Sequence, residues 1–361
     1  LLLERALLPR SRICGEYLCP GAVAALLRCG FGPAIRAARA APLLGVRLFA
    51  PSGREVPTRF PEAPGLSVRR CEFDGLLVDA CGADVRRGAH VVALRREGAV
   101  TAVRLTDGSE VRASVVVGAD GRNGVVARES GLRLGSRSRR AAVHGYYVGV
   151  RGTGAFGEMH LPGDGSYFGL NPGPDGCVNV TWVTDLDRLP GDVRRNAREL
   201  LAAALRACPS LQDRFRDAEP REDPSVLAPL EVRTRGVAAD GVVLAGDAAG
   251  FLDPLTGEGI YGALVSGTLA GEAAARAARG GGAGATRGYV RSYRRALGRK
   301  RALNRLFQWM LRRPRLLEFL GGRLGRSREL ADALIAVIGN ARAPGTLLAP
   351  RHLLALAGLH G

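Results

Sequence analysis

Two segments of this chain share one plan, and that plan constrains the fold more than any other feature. In Gly241-Val-Val-Leu-Ala-Gly-Asp-Ala-Ala-Gly-Phe-Leu-Asp-Pro-Leu-Thr-Gly-Glu-Gly-Ile-Tyr261 an apolar run turns at Gly246-Asp247. It then crosses a loop holding Pro254, Gly257 and Gly259 and enters a helical pattern. Val115-Val-Val-Gly-Ala-Asp-Gly-Arg-Asn-Gly-Val-Val-Ala-Arg128 repeats the scheme of apolar run, Gly-x-Asp-Gly turn and helix. Glycine at such turns lets the backbone approach a ligand closely, and the helix that follows aims its positive end at it.

The chain is long enough, at 361 residues, to carry two or more structural units. A hydrophobic fraction of 46% with mean hydropathy +0.02 fits a globular protein. No apolar run approaches the ~20 residues of a membrane span. Seven cysteines, an odd number without a Cys-x-x-Cys pair, argue against a disulfide framework and a zinc site. Five histidines without ligand spacing add no metal candidate, and a reducing cytoplasm is the expected setting.

The net charge of +18 is concentrated near the C-terminus, where residues 287–328 hold fourteen basic side chains and one acid, Glu318. Leu297, Leu303, Leu306, Phe307, Met310 and Leu311 interleave with them at helical spacing, which describes an amphipathic basic helix. A solvated outer face is the first reading and peripheral docking on anionic lipid the second. Nucleic acid comes last and is not expected as a partner, because it would want a known binding module or an aromatic-rich basic surface, whereas here the basic residues alternate mostly with leucines at helical spacing.

Between the two Gly-Asp units the pattern changes. Val143–Val150, Gly157–Leu161, Ser166–Leu170 and Cys177–Val183 read as short strands separated by Gly/Pro turns, hence an antiparallel sheet. In the last of these Val178, Val180 and Trp182 share one face, and Asn179 and Thr181 take the other. A helix is expected over 191–217, and Val111–Val117 is expected to return to a core sheet. The resulting expectation is an α/β fold of three regions. A discontinuous Rossmann-like domain comprises 1–39, 65–140 and 233–284. An inserted antiparallel β-sheet domain comprises 40–64 and 141–232, and a helical C-terminal region comprises 285–361.

These two fingerprints resemble those of FAD-dependent oxidoreductases of the aromatic-hydroxylase superfamily. The Asp253-Pro-Leu-Thr-Gly-Glu-Gly-Ile260 wording and Cys14-Gly15-Glu16 look most like the geranylgeranyl-reductase branch. The resemblance runs from Glu4 to about Ala275. It implies FAD as cofactor and NAD(P)H as electron donor. Asp247 accepts hydroxyls of the flavin's sugar chain, with Gly246 at the turn. Pro254, Gly257, Gly259 and Ile260 lie beside the ring, and Asp120 with Gly121 lies near the pyrophosphate. Glu4 takes the adenosine ribose, Arg12 lies near the phosphates and Arg70 near the ribityl chain. Cys14 and Gly15 stand beside the flavin, although Cys14 alone reads equally as a packed thiol. Relatives often carry Ser where this chain has Gly124, which removes a capping hydroxyl and weakens that helix start.

Leu1-Leu-Leu-Glu4 reads as the end of an interior strand, with Glu4 where the ribose acid follows a Gly-x-Gly-x-x-Gly turn by ~20 residues. The expectation is a chain beginning inside the domain, without the first strand, phosphate turn and first helix. A complete chain with an unusual start is the alternative.

The same resemblance places a small hydrophobic substrate between the inserted sheet and the flavin. Tyr147, Tyr167, Asn179 and Trp182, with Tyr146 and Phe168, are the candidate lining residues. No catalytic residue is assigned. Three functions follow: reduction of C=C bonds in an isoprenoid-like substrate; monooxygenation of an aromatic or polyketide-like one; or a truncated, non-catalytic chain that binds membrane or protein through its basic tail. No Trp-x-Trp-x-Ile-Pro motif is present, which disfavours flavin halogenases within the second class.

Overall fold

The computed structural model describes residues 1–358. The fold is α/β, with the nucleotide-type strands and the large antiparallel sheet forming separate layers. Leu2–Glu4 pairs in parallel with Val85–Arg87, and Val116–Gly118 pairs in parallel with Val242–Leu244. No backbone ladder joins these two parallel pairs among the described residues. The second pair is packed by Val126, Ala127, Ala270 and Ala273 into one apolar core.

Val111–Val117 is not one strand. Glu110–Ala113 closes a hairpin with Val100–Leu105 through the Asp107-Gly108 turn, and the chain re-enters the parallel pair at Val116. The helix expected over 191–217 is confined to Ala197–Ala207. Gly191 sits at φ 49°, turns follow it, and the helix ends at Cys208, just before Pro209. The residue before a proline is pushed out of the helical region, so the stop has a local cause.

The inserted sheet has eight strands. Arg140–Val148, Val178–Asp185, Tyr167–Pro172 and Gly157–His160 run antiparallel in that spatial order. Val46–Phe49 adds in parallel beside Gly157–His160 and pairs with Glu55–Pro57. Ala40–Leu43 joins Tyr17–Leu18 and Gly65–Val68 in a separate small sheet.

Alternation gives the large sheet two distinct faces. Val143, Tyr147, Phe168, Leu170, Val178 and Val180 point to one side, against Leu201, Leu205 and Leu211 from the helical layer. Each of those three leucines is almost fully buried, contributing about 1.5–3 kcal/mol of transfer free energy. Arg140, His144, Tyr146, Tyr167, Asn171 and Asn179 take the other face, towards the nucleotide layer.

The basic helix spans Gly282–Leu311 and is not a separate tail. Its Ala285, Tyr289, Tyr293 and Leu297 are buried, three of them in the core of the Val242–Leu244 layer, and the Tyr289 hydroxyl donates to the Leu244 carbonyl. Arginines at 287, 291, 294, 295 and 299 occupy the solvent face. No helix among the described residues is long and apolar enough to cross a membrane.

Candidate active site

The strand Val242–Leu244 leads through Ala245 to Gly246, whose φ of 58° turns the chain sharply. Gly246 N donates to Ser266 Oγ at 2.8 Å, and that hydroxyl donates to Gly262 O, so the turn is pinned to the helix Gly259–Arg276. Asp247 follows. Burial pushes its carboxyl above the usual range, while the guanidiniums of Arg122, Arg70 and Arg12 pull the other way. A largely desolvated carboxylate near three cations, its side chain without a hydrogen bond among the described residues, is suited to accept hydroxyls from a ligand.

The two arginines named from the sequence converge on this point. Arg70 Nε and NH2 donate to Asp74 at 2.6 and 2.8 Å, and Arg12 Nε lies 2.9 Å from the same carboxylate. Asp74 had no sequence signal beyond its i,i+4 spacing from Arg70. It fixes both cations close enough to act on the Asp247 charge. Glu4 accepts from Ala6 N at 2.8 Å and lies 3.6 Å from Arg10 at the end of its strand. Glu4 and Arg10 both act on the Arg12 charge, so the three form one charged rim. Cations at this density suit a pyrophosphate better than an uncharged ligand.

The loop after Asp247 is held from both sides. Asp253 accepts from Leu255 N at 3.0 Å and caps the Pro254–Thr256 turn. The same carboxylate accepts from Tyr167 Oη at 2.5 Å and Arg140 Nε at 3.2 Å, reaching across from the inserted sheet. Asn304, on the basic helix, donates to Thr256 Oγ1 at 2.9 Å. Arg140 and Asn304 went unmarked in the sequence, because each is an ordinary polar residue until folding buries it. Gly257 has φ 62°, and a Cβ there would come within 2.7 Å of the Tyr17 ring. The helix Gly259–Arg276 starts without a side-chain cap, so its first N–H groups stay available to an acceptor. Ile260 itself packs with Leu18, Leu26 and Phe73 in a small core, leaving its backbone as its contribution here.

Cys14-Gly15-Glu16 lies between Arg70 and the inserted sheet. Glu16 is 2% exposed and accepts from Arg70 N at 2.8 Å. The carbonyls of Cys14 and Gly15 accept from Asn179 Nδ2 and Asn171 Nδ2, each at 2.8 Å. Cys14 Sγ takes the Glu16 N–H at 3.3 Å and lies 3.6 Å from Arg70 NH1.

Asp120 behaves as an ordering residue. Its Oδ2 accepts from Val126 N at 2.9 Å at the start of the helix Val125–Glu129. A Cβ on Gly124 would fall 2.2 Å from Asp120 Oδ1. The weakened helix start expected from Gly124 is thus corrected: the Asp120 carboxylate supplies the cap, and glycine makes room for it. Gly121, at φ 75°, has open space on its Cβ side.

Two of the four substrate candidates lie on the wrong face. Tyr147 and Trp182 pack with Phe215 and Phe168 in the layer beneath the helix Ala197–Ala207, away from the Cys14 loop. Tyr147 and Val178 are register partners, so strand alternation places them together on that side. Tyr146, by contrast, takes the other face of the sheet, with the Arg69 guanidinium 4.0 Å from its ring centroid. Asn179 and Tyr167 share that face, Asn179 against the Cys14 loop and Tyr167 buried among Leu230, Leu255 and Leu311 with its hydroxyl on Asp253, a core residue and not a lining one.

The residues therefore fit the expected cofactor: a buried acceptor, a cationic rim, a close-approach glycine and an uncapped helix end converge. The model of the FAD binding domain family matches residues 72–295. This chain belongs to that family. It is an FAD-dependent oxidoreductase. The chain is 30% identical over 362 residues to the menaquinone reductase of Mycobacterium tuberculosis, covering 94% of this chain and 85% of that protein. It is 34% identical over 244 residues to digeranylgeranylglycerophospholipid reductase 2 of Methanopyrus kandleri, covering 62% and 58%. Among solved structures, a flavoprotein/dehydrogenase from Cytophaga hutchinsonii superposes with TM-score 0.82 at 20% identity, over 98% of this chain and 91% of that one. A flavin-dependent halogenase superposes with TM-score 0.77 at 24% identity, over 93% and 67%. These two show a shared fold.

Proposed function

We propose that this FAD-dependent oxidoreductase reduces C=C bonds of a neutral, isoprenoid-like substrate, with NAD(P)H as the electron donor. The observation that carries the reading is the apposition of the Cys14-Gly15 loop and the Asp253–Gly259 loop to one face of a sheet, next to a site fitted for FAD. The relatives are a menaquinone reductase and a digeranylgeranylglycerophospholipid reductase, whose names share an isoprenoid substrate. Hydride from reduced FAD and a proton from an acid together saturate a C=C bond. The chain's own part is to bind and orient. Asp247 would accept hydroxyls of the sugar chain, Arg12 would neutralise the phosphates, Arg70 would lie at the ribityl chain and Glu4 would take the adenosine ribose. Tyr167 and Arg140 hold Asp253, which fixes the loop beside the ring, while Asn171 and Asn179 hold the opposite wall.

The test is consumption of NADH or NADPH on adding a prenylated quinone, with and without oxygen. Substrate-stimulated consumption that persists without oxygen supports reduction. Consumption that requires oxygen moves the protein to monooxygenation, the alternative on this scaffold.

The basic helix adds a proposal about location. Leu306 and Trp309 on this helix, and Phe319 on the following helix Pro314–Arg326, are about half exposed, and no acid lies between Gly282 and Leu311. Arg313 stacks over Trp309 at 3.6 Å. Aromatics set among arginines suit the interface of an anionic bilayer, and a lipid-dissolved substrate would be met there. Peripheral membrane contact through this helix is therefore part of the proposal.

A further inference from the structure

We propose that the face of the large sheet that meets the Cys14–Gly15 loop carries a polar subsite, built from His144, Thr181 and Asn179 and opened by Gly169, that binds a neutral oxygen on the substrate. The class is a carbonyl or hydroxyl, as on a quinone-type head. The inference rests on the prenyl-reduction reading above.

Three register pairs assemble the site. Gly169 stands opposite Thr181, Thr181 opposite His144, and Asn179 opposite Tyr146, so the residues form a row across three strands. All belong to the face that meets the Cys14 loop, not to the face beneath the helix Ala197–Ala207. His144 is 4% exposed and Asn179 2%. Thr181 Oγ1 is buried without a hydrogen-bond partner, and His144 Nε2 and Asn179 Oδ1 have no well-formed bond beyond the loose contact of the imidazole with Asn179 and the Cys14 carbonyl. Buried polar atoms are nearly always fully satisfied, so three under-satisfied atoms on one patch mark a place for a ligand atom. Asn179 Nδ2 is committed to Cys14 O, so its oxygen is the spare group.

Gly169 supplies the space. A Cβ there would meet nothing within 4 Å, although the residue lies inside a strand. Glycine weakens a strand interior and often marks the close approach of another group. Met159, paired with Gly169, gives the opening an apolar neighbour. A ligand enters over Gly169 and Met159 and places its oxygen at Thr181 and His144, beneath the Cys14–Gly15 roof.

The charge environment excludes an anionic head. Burial pushes the His144 imidazole down to about 4, against the Cys14 carbonyl and Asn179, so it is neutral near neutral pH. The nearest cation, Arg69, is occupied by Glu16 and Asp175 and stacks on Tyr146. A phosphate or carboxylate would find no free counter-ion on this patch.

The test compares two probes of equal chain length, a prenylated naphthoquinone and a prenyl hydrocarbon, binding to the full chain with FAD added. Wild type should bind the quinone more tightly. Thr181→Val keeps the shape and removes the hydroxyl. It should weaken quinone binding by about tenfold and leave hydrocarbon binding unchanged. Gly169→Leu should weaken the quinone more strongly by filling the opening, with melting temperature and flavin content as folding controls. Equal binding of both probes by wild type would overturn the subsite while leaving prenyl reduction standing, and would make a buried water its occupant. A Thr181→Val effect on both probes alike would also overturn it. A wild-type chain that binds neither probe would remove the prenyl-reduction reading and the subsite together.

Discussion

Asn179 Nδ2 donates to the carbonyl oxygen of Cys14 at 2.8 Å, linking residues 165 positions apart in the chain. Asn171 repeats the contact one strand away, on Gly15 O at 2.8 Å. These two amides are the stitches between the inserted sheet and the loop that walls the flavin site. Without them the Gly15 carbonyl loses its partner, the Cys14 carbonyl keeps only His144, and the wall is held less firmly.

A loosened wall should show first in cofactor affinity. Each bond is worth about 1 kcal/mol net, a factor of about five in binding. Asn171→Ala is expected to weaken FAD binding by about that factor, and the Asn171→Ala/Asn179→Ala pair by more than tenfold. Fluorescence titration of FAD into each variant measures this. The chain should remain folded, because both side chains lie on the face opposite the leucine-packed layer.

Asp247 should trade stability for function. Burial raises its carboxyl above the ordinary value, so the folded, cofactor-free chain disfavours its charge. A raised carboxyl destabilises at pH above the unfolded value, and the cost is relieved as pH falls through that range. Asp247→Asn is therefore expected to leave the melting temperature of the FAD-free chain unchanged or higher at neutral pH. FAD affinity should fall at least tenfold, by the loss of charge-assisted hydrogen bonds worth about 1.5–3 kcal/mol. Melting curves with and without FAD separate the two effects.

Glu158 should dominate acid sensitivity on the opposite face. It is 5% exposed and bonded to His160 Nε2 at 3.0 Å, to Arg214 NH1 at 2.5 Å and to Arg47. Burial works against its charge, but His160 and Arg214 outweigh it and hold the carboxyl at about 2, below the ordinary 4.5. For a lowered carboxyl the contribution is complete above the unfolded value and is lost as pH falls through the folded one. Glu158→Gln is expected to cost on the order of 3 kcal/mol at neutral pH, because it removes the charge that holds Arg47 and Arg214, both partly buried, on this face. The gap between variant and wild type should narrow below about pH 4.5 and close near pH 2 in denaturant titrations.

Trp309 and Leu306 should govern vesicle binding. Leu306→Ser/Trp309→Ser exchanges two half-exposed side chains, so the fold is expected to persist. Co-sedimentation with anionic vesicles should fall by about tenfold, since each buried apolar side chain contributes about 1.5–3 kcal/mol when fully inserted. Wild-type binding should weaken with added salt and be absent on zwitterionic vesicles.

The two Gly-Asp units, the strands over 141–185 and the basic helix were legible because each follows from local pattern: glycine turns, alternation and helical spacing. What was not legible depended on which face a strand shows. Tyr147 and Trp182 look as suited to a binding site as Tyr146, and only the packing of Leu201 and Leu205 decides that they are core. Asp74, Arg140 and Asn304 carry no local signal. Their roles arise from contacts with Arg12, Asp253 and Thr256, far away in sequence. The anchoring of the basic helix by Tyr289 and Tyr293 was likewise hidden, since a helix rich in arginine gives no hint that one stripe is deeply buried.

The most direct measurement is anaerobic. The chain is loaded with FAD, desalted, reduced chemically and mixed with a prenylated quinone in a sealed cuvette. The account predicts that the yellow flavin band returns without oxygen, in step with a product heavier by two hydrogens on its prenyl chain. A band that stays bleached until air is admitted, with the prenyl chain unchanged, would contradict it.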